Sequence, residues 1–269
     1  HSFGRDARPV LDRCRDSIAH ILGADPSEVI FTSGGTESIN AAVYGLTLGQ
    51  KGAIALTSGE HPATTAACER PRQAGMKLIT LNVDAAGRLL DNQYDGLPWD
   101  DLKLVTVILA HNESGVIQDL SRLSALCEQH RVPLLIDAVQ AVGKIPVSFH
   151  DLNATALAFG AHKFHGPRGI GGLLLRRGVP LPPLLEGGHQ ESGRRAGTEP
   201  VPLIAGMATA LESFAADQLT CMKHVQTMRD QLQHDLQQHC EPTVVHGINA
   251  SRLPNTLSIA FPGLSGEAI

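Results

Sequence analysis

No block of basic residues, no charged tail and no apolar run of membrane-spanning length occurs in the 269 residues. Lys and Arg number 22 against 27 Asp and Glu, and the net charge of -5 argues against a nucleic-acid or anionic-membrane partner held by bulk charge. Cysteine is scarce: Cys14, Cys68, Cys127, Cys221 and Cys240 are widely spaced, odd in number and without metal-ligand spacing. That pattern argues against a disulfide framework and against a bound metal, and it suits a reduced compartment. No signal-peptide pattern is read, and a cytoplasmic protein is expected. Internal repeats and low-complexity segments are missing as well. What is there is ordinary for a soluble globular chain, 42% hydrophobic and 18% charged, with enough length for one large domain and part of another. It starts at His1 without a methionine and stops at Ile269 inside what reads as a helix start, so a fragment or processed chain is expected.

Helical periodicity marks residues 9–22, with Gly23 as the stop, and 201–239, with a bend near Ala216 and Asp217. Between them strands alternate with helices. Strands are expected at 28–32, 53–57, 77–81, 104–110, 133–136, 156–159 and 170–175, and helices at 37–46, from 62 to 74 and at 120–130. Such alternation predicts an α/β fold with a mainly parallel sheet and helices on both faces. Short strands at 243–246 and 257–261 would begin a smaller unit.

Thr36, His61, Asn112, Asp137, Gln140 and Lys163 all fall just past the expected carboxyl ends of strands, where open α/β sheets bind ligands. Lys163 follows an apolar strand that stops at Gly160 and precedes a loop rich in Gly and Pro. Desolvation there would favour a neutral amine able to attack a carbonyl, although a solvated loop lysine fits the same local pattern. Ser33-Gly34-Gly35-Thr36 ahead of a helix is an anion cradle or a plain N-cap; it is neither a dinucleotide fingerprint nor a phosphate loop, which favours a small phosphorylated cofactor. Asp137 ends an apolar strand, and burial would raise its pKa unless a cation sits beside it. A protonated pyridine nitrogen would be such a cation, and with Lys163 one strand away the pair meets the needs of pyridoxal phosphate. His61 could lie on the ring and move protons, Asn112 and Gln140 could donate to the ring oxygen, and His162 is a second phosphate candidate. Turn capping accounts for several of these side chains equally well.

Seven motifs in order carry a family resemblance: residues 34–40 (Gly34-Gly35-Thr36-Glu37-Ser38-Ile39-Asn40), Glu60-His61, Asn112-Glu113-Ser114-Gly115, Asp137-Ala138-Val139-Gln140, His162-Lys163, Gly166-Pro167-Arg168-Gly169 and Arg195-Ala196-Gly197-Thr198. Together they resemble the cysteine desulfurases, in the class V aminotransferase group of pyridoxal phosphate enzymes. The resemblance implies the aspartate aminotransferase type of PLP-dependent transferase fold, with residues 1–217 as the large PLP-binding domain and 218–269 as the start of a smaller α+β domain, left incomplete. It makes Lys163 the Schiff-base lysine, Asp137 the partner of the pyridine nitrogen and His61 the stacking acid/base. Gln140 would bond the ring hydroxyl and Asn112 would orient ring and substrate. Gly35, Thr36 and His162 would hold the phosphate, with Thr198 reaching the phosphate of the other subunit of a homodimer. The implied reaction takes L-cysteine to L-alanine and passes sulfur as a persulfide toward iron-sulfur cluster or thio-cofactor assembly, with a sulfur-acceptor scaffold protein as a possible partner.

Two departures accompany the resemblance. Gly160 stands where relatives have a phosphate-binding serine, and the family's persulfide cysteine and carboxylate-binding arginine are expected beyond Ile269. Another class V enzyme, such as a selenocysteine lyase or an aminotransferase, and a truncated, non-catalytic PLP-binding member are the alternative readings.

Overall fold

The computed structural model describes residues 2–266, with side chains from residue 7 onward. Six helices and nine strands are assigned in it: α1 (Ser2–Ile21), β1 (Val29–Thr32), α2 (Gly35–Thr47), β2 (Ala53–Thr57), α3 (Pro62–Gln73), β3 (Lys77–Leu81), β4 (Leu102–Ile108), α4 (Ser121–His130), β5 (Leu134–Asp137), β6 (Ala156–Gly160), β7 (Gly171–Leu175), α5 (Val201–Ala216), α6 (Gln218–His239), β8 (Val244–Val245) and β9 (Ile259–Ala260). Seven strands form one sheet in the order β1-β7-β6-β5-β4-β2-β3. Pairing is parallel except at β7, which runs antiparallel to both neighbours.

Strand residues alternate between two cores. Phe31, Ala55, Val105, Ile136 and Phe159 pack on one face with α1, α4 and α5, whereas Ile30, Ile54, Leu104, Leu135 and Ala158 pack on the other with α2 and α3. Each of these five strands is therefore apolar on both sides, as a sheet covered by helices on both faces requires. Polar chemistry is left to the strand ends. Glycines let the layers meet at the site: a Cβ at Gly35 would lie 2.4 Å from Val139 Cγ2, so the first turn of α2 can close on the segment after β5 only without a side chain.

Three sequence expectations are corrected. The first helix begins at Ser2, not at Pro9, which lies inside it at the loss of one main-chain donor. Strand β4 is shifted two residues toward the N-terminus, because the chain leaves the sheet once Ile108 has paired with Asp137. The bend between α5 and α6 is present, but the apolar periodicity of α6 does not mark a buried face: Met228 is 61% and Leu232 52% exposed, and no residue of α6 is buried. Among the described residues no helix is long and apolar enough to cross a membrane.

A denaturant-melting comparison checks this division. Leu123→Ala, in the core between sheet and α4, should cost about 2–5 kcal/mol by leaving a cavity. Leu232→Ala on α6 should stay within about 0.5 kcal/mol of the parent.

Candidate active site

Strands β1, β2, β4, β5 and β6 all run the same way, so the chain segments that follow them emerge along one edge of the sheet. A cavity of about 540 Å³ opens there, within the size range of small-molecule sites. Gly35, Thr36, His61, Asn112, Asp137, Gln140, His162 and Lys163 all line it, so eight of the residues singled out in the sequence meet at one place. Thr198 does not; it is exposed on the loop that follows Arg195.

Asp137 is the last residue of β5 and only 3% exposed. Its Oδ1 accepts from Val139 N–H at 2.9 Å, and among the described residues no cation pairs with it. Burial raises its pKa, and the Val139 N–H with the nearby charge of Lys163 offsets this only in part. A cation entering the cavity would meet a carboxylate that lacks a partner.

Beside it lies a second buried carboxyl that sequence reasoning missed. Glu60 Oε1 accepts from Thr57 Oγ1 (2.6 Å) and from Ile108 N–H (2.8 Å), tying the end of β2 to β4. Although the residue as a whole keeps some exposed surface, Oε2 is fully buried without a partner. Burial, reinforced by the charge of Asp137 and opposed by the Thr57 hydroxyl, pushes Glu60 up to about 7. Its signal in the sequence was an acid placed directly before the strand-end histidine.

His61 is the N-cap of α3, and its Nδ1 accepts from Ala63 N–H at 3.1 Å. A ring nitrogen that accepts an N–H carries no proton, so the neutral ring holds its proton on Nε2. At the other wall, α2 begins with N–H groups of Gly35, Thr36 and Glu37 that have no partner among the described residues, at the positive end of the helix dipole. The turn before them is held by Glu37, whose Oε2 accepts from Ser33 N–H (2.7 Å) and whose carboxylate pairs with Arg195 (2.8 and 3.2 Å). Burial works against this carboxylate, yet the bonds from Arg195 and Ser33 hold it below the usual carboxylate range. The loop carrying Arg195 is anchored in turn by Glu191, which accepts from Arg15 (2.9 and 2.7 Å) and from Phe31 N–H (3.0 Å).

Arg168 lines the cavity and was not singled out as a site residue, although an arginine in a Gly/Pro loop just after Lys163 was visible in the sequence. Partial burial and the positive charges of Lys163, Arg168 and Lys144 push His162 below the ordinary imidazole value. Cations thus gather around His162, whose ring lies near Gly160, as does the first N–H of α2. The donor set fits pyridoxal phosphate on three counts: an unpaired buried carboxylate for a ring-nitrogen cation, free N–H groups and cations for a phosphate, and a half-buried lysine amine between them.

The class-V aminotransferase family model matches residues 1–269. A cysteine desulfurase of Enterobacter agglomerans is 41% identical over 272 residues, a match that covers the whole chain and 68% of that relative. The chain belongs to the cysteine desulfurases of the class-V aminotransferase family. Among solved structures, a NifS-like protein matches with a TM-score of 0.94 at 34% identity, over 99% of this chain and 74% of that one. SspA in complex with cysteine matches with a TM-score of 0.86 at 30% identity, over 97% and 74%. Cysteine desulfurases of this class are pyridoxal phosphate enzymes, and the expected α/β transferase fold is the one shared with these relatives.

Glu60 gives the site a measurable pH signature. Because its folded pKa lies above the ordinary carboxyl value of 4.5, the folded state binds more protons than the unfolded one. Stability therefore falls as pH rises from about 4.5 to about 7 and then levels off, by about 3 kcal/mol at most. Glu60→Gln should reduce that slope in urea melts run across this range, Asp137 contributing what remains; an unchanged slope would place the titration elsewhere.

Proposed function

We propose that this cavity binds pyridoxal 5'-phosphate and that the chain carries the cofactor site of a cysteine desulfurase acting on L-cysteine. The observation that supports this most is the meeting of Lys163, the unpaired Asp137 and the free N–H groups of α2 in one cavity. When bound, the cofactor supplies a carbonyl that condenses with amines and a pyridinium ring that accepts the electron pair released at the substrate's α-carbon. The N–H groups of Gly35 and Thr36 bind the phosphate together with His162, under the helix dipole. Asp137 holds a proton at the ring nitrogen, and its low exposure makes that ion pair strong. Gln140 donates to the ring hydroxyl, and Asn112 orients ring and substrate. His61, whose Nδ1 is already engaged by Ala63 N–H, would cover the ring with Nε2 as its remaining nitrogen, and Lys163 Nζ would move the α-proton.

The net reaction converts L-cysteine and an acceptor thiol to L-alanine and a persulfide. The substrate C–S bond breaks, an S–S bond forms on the acceptor, and a proton takes the place of sulfur on the β-carbon. Among the described residues no cysteine lines the cavity; Cys68 and Cys127 are buried, with burial pushing both thiols up to about 12. We read residues 1–217 as the cofactor-binding domain and 218–269 as part of a second unit, a division supported by the absence of buried residues on α6. A homodimer in which Thr198 reaches the partner's phosphate suits its exposed position outside this cavity. Persulfide delivery to a scaffold for iron-sulfur or thio-cofactor assembly, in the reducing cytoplasm, completes the reading and suits five free cysteines.

Lys163→Ala should abolish the borohydride-fixable bond to the cofactor while leaving the circular dichroism spectrum intact; a persistent adduct would sink the assignment. Asp137→Asn should retain cofactor yet slow α-proton exchange by about a hundredfold or more, as loss of a preorganised charge does. Gly160 offers a gain-of-function check. Its φ of -142° and ψ of 126° suit any residue, and a Cβ there would lie 3.3 Å from Gly35 N. Gly160→Ser should therefore add a hydroxyl at the cradle and tighten pyridoxal phosphate binding by about three- to tenfold, read by equilibrium titration.

A further inference from the structure

Lys144 is a cation beside the site to which none of the roles above is assigned. After β5 the chain turns tightly, with Ala141 N–H donating to Ala138 O (2.9 Å) and Lys144 N–H to Ala141 O (3.0 Å). Gly143, at φ +72°, lets this turn press against the one that bears Lys163: a Cβ at Gly143 would lie 2.2 Å from Phe164 Cβ. Lys144 is thereby brought under the site, and its Nζ donates to Oε1 of Gln140, which lines the cavity.

An ammonium group has three donors and no acceptor, so only the oxygen of the Gln140 amide can face it. The amide nitrogen must then point the other way, and among the described residues Gln140 Nε2 has no partner. We propose that Lys144 is a positioning residue that locks the Gln140 amide with its N–H₂ turned to the cavity, as a dedicated donor to a ring-hydroxyl oxygen. The inference rests on the reading of the cavity as a pyridoxal phosphate site with Gln140 at the ring hydroxyl. An unlocked glutamine amide could present either end, and with its oxygen inward the dedicated donor to the ring-hydroxyl oxygen would be lost. Desolvation and the charge of Lys163 lower Lys144 to about 8, so it remains largely cationic at neutral pH and keeps its donor-only character there.

The test is a double-mutant cycle on the full chain with pyridoxal 5'-phosphate as the probe, reading the dissociation constant and the visible absorption band of the loaded protein. Lys144→Met and Gln140→Ala should each weaken binding by about tenfold, the size of one hydrogen bond involving a charged group, and shift the band in the same direction. The double variant should be no weaker than either single one, since Lys144 acts through Gln140. Lys144→Arg, whose guanidinium also only donates, should restore the parental band and bring affinity back to within about threefold. If the loss from Lys144→Met persists in the Gln140→Ala background, Lys144 acts as a bare charge and the positioning role is overturned. If Gln140→Ala alone binds and absorbs as the parent does, the assignment of Gln140 to the ring hydroxyl fails, and the inference falls with it while the remaining cofactor contacts stand.

Discussion

A carboxylate at the end of a strand that is apolar on both faces, with no cation paired to it among the described residues, is the constraint around which this structure is arranged. Asp137 cannot be solvated from within the sheet, because Val105, Ile136 and Phe159 fill one face and Leu104, Leu135 and Ala158 the other. Its relief must come from the cavity. The parallel strands deliver Lys163 close enough to lower its proton affinity, yet the two form no ion pair. On the proposed reading a cationic ring nitrogen would supply what the protein leaves out, and the burial that would be a liability in an empty core would become a source of binding energy and of electron demand.

The surrounding charges sort themselves by depth. Glu60 lies near Asp137 and is pushed up to about 7, and two neighbouring buried carboxyls seldom ionise together. The cations Lys163 and Arg168 line the same cavity as the helix start, where a phosphate dianion would be held, and burial and their charge keep His162 below the ordinary imidazole value. Positioning then runs outward through ion pairs. Arg15 fixes Glu191, the loop beyond it brings Arg195 to Glu37, and Glu37 orders the Ser33 turn beneath the free N–H groups. These contacts touch no ligand, but they keep the cradle in shape.

Much of this was legible in the sequence because the relevant signals are local. A run such as residues 156–160, apolar throughout and closed by glycine, reads as a buried strand, and the polar residue after it reads as a strand-end group. The order of seven motifs, five of them at such strand ends, carried the family resemblance. Misreadings arose where local pattern and packing diverge: α6 has an apolar period, but Met228 and Leu232 on it are exposed, and Pro9 looked like a helix start although the helix runs through it. Arg168 passed as a loop residue, since nothing in its own neighbourhood reveals the cavity it faces.

By itself, then, the sequence determined the strand-helix alternation, the residue types at the strand ends and the chemistry they suit, because periodicity and turn residues act over a few positions. Tertiary structure alone decided which of those residues share a cavity, that Thr198 lies outside it, that Glu60 is a buried acid and that Lys144 reaches Gln140 under the turn of Lys163. Proximity between Glu60 and Ile108, or between Gly143 and Phe164, is set by sheet order and layer packing. Desolvation, which makes those groups unusual, has no local sequence signature, since it depends on every layer placed around them.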